Sequence, residues 1–153
     1  MKDMPHQTDA VLSELADLQS RATDSLRAMV SSDGRVDADA LETHQHAAHA
    51  LSWLATYVES LRQLSAWSSR MGGEIESLIA QIGFGEYLTQ IAAGIPMSQT
   101  EFARLTDLGV DWQPSDAARA LMAGNTPQDR ARLAALMADA RGSATFGATG
   151  LDE

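Results

Sequence analysis

Cysteine is absent from these 153 residues. Disulfides, thiolate nucleophiles and cysteine-type zinc centres are therefore excluded, and the composition fits a reducing compartment such as the cytoplasm. Long apolar runs are missing too. No window approaches the roughly 18 consecutive apolar residues that a membrane span requires, and the start "MKDMPHQTDAV" has no apolar signal core. Aromatics make up only 5% of the chain. Basic charge is scarce: 11 Lys and Arg stand against 21 Asp and Glu, a formal net charge of −10, and the basic residues are scattered. A polyanion such as nucleic acid, or an anionic membrane, would be repelled by such a chain, so neither is an expected partner.

What is present is alanine, leucine and helix punctuation. Thr8 or Asp9 is placed to cap a first helix through "AVLSELADLQSRATDSLRAMV", where Val11, Leu12, Leu15, Leu18, Ala22, Leu26 and Val30 keep helical spacing. A long helix is predicted from Asp37 or Asp39 to about Arg70, broken by "MGG". At about 1.5 Å per residue it would run roughly 50 Å. A third helix, "EIESLIAQIGFGEYLTQIAA", precedes "GIP". Ser98-Gln-Thr-Glu101 reads as a capping box for a helix stopping at Gly109. Ser115 opens "DAARALMA" up to Gly124, and Thr126-Pro127 opens "RARLAALMADAR" up to Gly142. No alternating strand pattern appears. The expected fold is all-α: an elongated bundle over residues 1–142 around one long central helix, with 143–153 a glycine-rich flexible tail or linker.

Three of the four histidines fall within six residues, as His44-x-His46-x-x-His49. On a wheel of about 100° per residue they point in different directions. His44 lies in one apolar face with Ala47, Ala48, Leu51, Leu54, Ala55, Val58 and Leu61. His46 lies in a second, with Ala50, Trp53, Tyr57 and Leu64, and His49 borders the polar stripe. Glu42, His46 and His49 are the one set that converges enough to be weak metal-ligand candidates. No Glu-x-x-His pair on a neighbouring helix completes them, so the favoured reading is partner-bonded histidines and no metal. A helix apolar on two sides, with a narrow polar stripe, is expected to run through the middle of a bundle.

Two charges fall among apolar positions. Arg62 lies on the first apolar face, and Glu86 lies on the stripe of Ile75, Ile79 and Ile82. An antiparallel turn at Gly72-Gly73 would bring them together, so a structural Arg62–Glu86 ion pair is predicted, a buried charge being costly without a partner. "GFGE" (83–86) follows no strand and lacks the Lys-Ser/Thr of a phosphate loop. Its glycines are read as sites of close helix approach. Met29, Met122, Met137 and Trp112 are expected core filler.

The stretch "ALSWLATYVESLRQLSAWSSRM…GEIESLIAQIGFGEYLTQIAAGIPMSQTEFARLTDLG" resembles the helical extension that precedes the core in a subgroup of the flavin-dependent acyl-CoA dehydrogenases. It is also similar to that family's C-terminal helical bundle. There, a Gln-Ile followed by a Gly-Gly-x-Gly run lies near the flavin of a neighbouring subunit. Here Gln90-Ile91 is followed by Ala92-Ala93-Gly94-Ile95-Pro96, so most of those glycines are missing. The resemblance implies a non-catalytic accessory domain in a cytoplasmic oxidoreductase. FAD would be held in the parent flavoprotein, and this chain would supply no catalytic and no cofactor-binding residue. The expected partner is the dehydrogenase core or a second subunit, met through a Trp53, Tyr57 and Leu64 face and the Gly83–Gly94 region. A free-standing module that self-associates as a homodimer is the alternative.

Overall fold

The computed structural model describes residues 4–141. The predicted tail at 143–153 and the stop at Gly142 lie outside them. The first helix, α1 (Met4–Val30), buries Val11, Leu15, Leu18 and Ala22 completely. It ends in a short hairpin, β1 (Ser31–Ser32) against β2 (Arg35–Val36). The turn residues Asp33 and Gly34 both take positive φ (51° and 75°), the geometry for which an Asp-Gly pair is suited. Asp37 then caps α2 (Ala38–Thr43), its carboxylate accepting from the Ala40 N–H at 2.8 Å.

The predicted long helix is two helices. His44 leaves the helical backbone (φ −107°, ψ 23°) and separates α2 from α3 (Gln45–Met71). With 27 residues, α3 is about 40 Å long. The break lets α2 pack on α1 while α3 runs between α1 and α4. The two apolar faces are corrected as well. The buried residues of α3 are Ala47, Ala50, Leu54, Tyr57, Val58, Leu61 and Ser68, which span one arc of about 100°. Leu51, Trp53 and Leu64 line its margins, half-buried, while Ser52, Thr56, Glu59, Arg62 and Gln63 face solvent. Both flanking helices meet this single broad arc, which leaves the polar strip open to water.

Gly72, left-handed at φ 68°, closes α3 and starts the turn into α4 (Glu74–Ala93). The pair is antiparallel, with Leu64 against Gly83 and Tyr57 against Gln90. Beyond it, the predicted capping-box helix does not form. Ile95 and Pro96 (β3) pair antiparallel with Ala103 and Phe102 (β4), and the Met97 N–H donates to the Glu101 carbonyl at 2.9 Å. Ser98 Oγ and the Glu101 carboxylate stand 3.5 Å apart, too far for a strong bond. Burial of Ile95 and Ala103 beneath this hairpin outweighs the local cap. A 3-10 turn, Leu105–Leu108, does stop at Gly109 (φ 65°).

The remaining elements form where their caps predict. Glu14 of α1 accepts from Trp112 Nε1 at 2.6 Å and from the Ser115 N–H at 3.1 Å, pinning that loop to the bundle. Ser115 caps α5 (Asp116–Ala123) and Thr126 caps α6 (Pro127–Asp139). The core joins α1, α3, α4 and α5 through Leu15, Leu54, Leu61, Phe84, Leu88 and Leu121. By contrast α6 has no buried residue. Met137, expected in the core, is 47% exposed. The described residues thus form the predicted all-α bundle, with two hairpins too short to alter its class.

Candidate functional site

The α3–α4 seam is built by glycines and aromatics. A methyl on Gly83 would sit 2.6 Å from Leu64 Cδ2, and one on Gly85 would sit 2.5 Å from Asn125 Cβ and 3.0 Å from the Leu121 carbonyl. Gly83 therefore admits α3, and Gly85 admits the α5–α6 corner. This is the close approach read from "GFGE". Along the same seam Tyr57 is only 8% exposed. Its ring stacks on Tyr87 (centroids 4.4 Å apart, 22° between planes) and its hydroxyl donates to Gln90 Oε1 at 2.5 Å. Burial, then the neighbouring Tyr87 hydroxyl, pushes the Tyr57 pKa above its ordinary value. Trp53 stands edge-on to Tyr57, 6.4 Å between centroids.

Of the Trp53, Tyr57 and Leu64 face, Tyr57 and Leu64 are thus turned onto α4, and half-buried Trp53 packs beside Tyr57. What remains open beside it is a groove of about 360 Å³ where Leu64, Ile79, Ile82, Tyr87 and Leu133 meet, with Ser60, Gly83 and Glu86 on its walls.

Arg62 and Glu86 do not pair. Arg62 bonds Glu59 one turn back on its own helix, and Arg130 of α6 reaches Glu86 at 2.6 Å. The reason is geometric: Arg62 sits on the solvent side of α3's single buried arc, whereas α6 crosses α4 beside Glu86. A second α6 arginine, Arg132, holds Glu74 at 3.1 Å. The Gln63 side-chain bond holds the Glu59 carboxyl below its usual range, against an opposing effect of desolvation and with the Arg62 charge and bond adding to it. None of these α6 pairings carries a short-range sequence signal.

Glu42, His46 and His49 do line one groove, of about 810 Å³, at the α2 end. Each imidazole is engaged elsewhere. His46 Nε2 lies 3.3 Å from Asp107 Oδ2, and His49 Nε2 accepts from Trp53 Nε1 at 3.0 Å. Among the described residues, no group of three or more His, Asp or Glu is placed to hold a metal.

The stretch Gln90–Pro96 is engaged within the chain. Tyr57 occupies the Gln90 side chain, and Ile95 is buried. Gly94 faces the chain's own hairpin: a methyl there would sit 3.6 Å from Phe102 and 3.7 Å from Arg104.

No family model matches the chain. It is 58% identical, over 149 residues, to (2S)-methylsuccinyl-CoA dehydrogenase of Cereibacter sphaeroides. The match takes in 93% of this chain and 27% of that enzyme's length. The chain is related to one segment of an acyl-CoA dehydrogenase. The resemblance read from the stretch between Ala50 and Gly109 therefore holds, and the match takes in nearly the whole chain. The chain spans about a quarter of the length of the curated relative it matches. Among the described residues, no helix is long and apolar enough to cross a membrane.

Proposed function

We propose that this bundle is a non-catalytic accessory domain of a cytoplasmic, FAD-dependent acyl-CoA dehydrogenase. The parent reaction would be α,β-dehydrogenation of an acyl-CoA thioester, with FAD and thioester both held elsewhere in the flavoprotein. The bundle packs against the dehydrogenase core or at a subunit interface through the groove between α3, α4 and α6. Leu64, Ile79, Ile82 and Tyr87 present apolar surface there, and burying it at about 25 cal/mol per Å² favours association. Trp53 and Tyr57 act from behind, by fixing Tyr87 and the α3–α4 spacing.

The observation that carries this reading is the 58% identity across nearly the whole chain to only 27% of a dehydrogenase. That match supports reading the segment as a domain whose partner is the rest of such a polypeptide. The test is to read the DNA downstream of the last codon and to purify any dehydrogenase encoded there. A flavoenzyme that carries or binds this chain is the expected result. A neighbourhood with no flavoenzyme, and no binding to one, would overturn it.

The alternative, a self-associating helical module, is favoured by the outer face of α6. Ala131, Ala134, Ala135 and Ala138 are all exposed there, at i, i+3, i+4 and i+7 spacing. Light scattering on the isolated chain separates the two readings: a stable dimer with no enzyme present supports the alternative.

A further inference from the structure

Leu41 is one of the exposed large apolar side chains among the described residues, 37% exposed, and it lines a groove of about 810 Å³. The groove is the one at the α2 end, with Leu41, Ala48 and Met97 supplying apolar lining.

Glu42 and Glu101, both exposed, also line the groove, together with Gln45, His46 and His49. The exposed glutamates of α3 and α4 behave differently: Glu59, Glu74 and Glu86 each hold an arginine. Among the described residues neither Glu42 nor Glu101 has a Lys or Arg within ion-pair distance, and no basic side chain other than histidine lines the groove. Both histidines there are already bonded to Asp107 and Trp53. A groove that combines apolar lining with carboxylates lacking a basic partner is complementary to one kind of side chain. Lys and Arg have apolar stems and cationic heads, so stem and head are both satisfied in one pose.

We propose that this groove docks a lysine- or arginine-bearing segment of the dehydrogenase core, as a second contact distinct from the α3–α4–α6 groove. The inference rests on the accessory-domain reading and adds the chemistry of the surface that the core must present. A second copy of this chain is the poorer occupant, because it brings another ten excess negative charges to an acidic groove.

The test uses the FAD-loaded dehydrogenase that carries this chain, fused or as a subunit. Carboxylates are coupled to lysines with a zero-length reagent and the products mapped by mass spectrometry. The chain itself has one lysine, Lys2, so any other coupled lysine comes from the core. Coupling of Glu42 or Glu101 to a core lysine is expected. Amide exchange over 38–49 should be at least about tenfold slower in the holoenzyme than in the isolated chain, and the E42Q/E101Q holoenzyme should lose that protection. The isolated E42Q/E101Q chain should exchange like the isolated parent chain, which separates docking from folding. Equal exchange at 38–49 in holoenzyme and isolated chain would overturn the groove assignment while leaving the accessory-domain reading intact. So would unchanged protection in the double variant. Finding no dehydrogenase that carries the chain would overturn both.

Discussion

The α3–α4 seam and the α6–α4 junction use the same helix in opposite ways. At the seam, Gly83 lets α3 close in, Phe84 and Leu88 are fully buried, and Tyr57 spends its hydroxyl on Gln90. At the junction α6 has no fully buried residue, its Leu133 and Leu136 being half-buried, and is tied down by Arg130–Glu86 and Arg132–Glu74, both half-exposed pairs. Apolar burial is non-directional and insensitive to salt, whereas exposed ion pairs contribute little and are screened. One face of α4 is therefore permanent structure, and the other is a contact that solvent conditions can loosen.

The largest effect that could break this contrast is at Phe84. Phe84→Ala should cost about 3–5 kcal/mol, since a fully buried ring leaves a cavity that the helices cannot fill. Urea denaturation is the measurement. A loss below about 1 kcal/mol would mean that the seam is loosely packed. Next comes the glycine pair. Gly85→Ala should cost about 1–3 kcal/mol, because its methyl meets the Leu121 carbonyl as well as Asn125. Gly83→Ala meets only the end of Leu64, and the helical preference for alanine, about 1 kcal/mol, offsets the adjustment. Equal losses at the two glycines would refute the distinction drawn between them.

A smaller effect sharpens the seam by pH. The folded pKa of Tyr57 is raised, so the folded state holds that proton more tightly than the unfolded chain does. The contribution is complete below pH about 10, the ordinary tyrosine value, and is lost as pH rises through the folded pKa. Unfolding free energy should therefore fall with pH above about 10, and Tyr57→Phe should flatten that slope. The same variant gives up the bond to Gln90, worth about 1 kcal/mol at neutral pH. A steep alkaline slope that survives in Tyr57→Phe would assign it to another group.

How much of the fold is legible from the sequence follows from the range of the interactions. α4 is readable end to end, and the caps at Ser115 and Thr126 are readable because each is settled within four residues. His44 is helical by spacing, but α2 bends there to reach α1, a tertiary demand with no local mark. Ser98 and Glu101 match a capping box and lose to the burial of Ile95 and Ala103 in a hairpin. The first hairpin does have a signal, Asp33-Gly34, whose pair of positive φ angles favours a two-residue turn. At the candidate site, the close approach at Gly83 and Gly85 is visible in the glycines themselves. The predicted Arg62–Glu86 pair fails because the arginine that reaches Glu86 is 44 residues away. It lies on a helix whose position only the assembled bundle fixes.

The smallest global effect tests the junction most directly. Arg132→Ala removes a half-exposed pair to Glu74, so the whole-chain stability should change by no more than about 1 kcal/mol. Local opening is where the change should appear. With no buried residue to hold it, α6 should detach well before the bundle unfolds, and a loss of about 1 kcal/mol would raise its opening some fivefold. Amide exchange over 128–139 should speed up accordingly in Arg132→Ala, while the amides around Phe84 and Leu88 keep the parent rate. Raising salt from about 0.1 to 1 M should have the same selective effect on the parent chain, as the screening length falls from about 10 to 3 Å. If α6 and the seam instead exchange together under both perturbations, the junction is as cooperative as the core, and the two faces of α4 are not held by different physics.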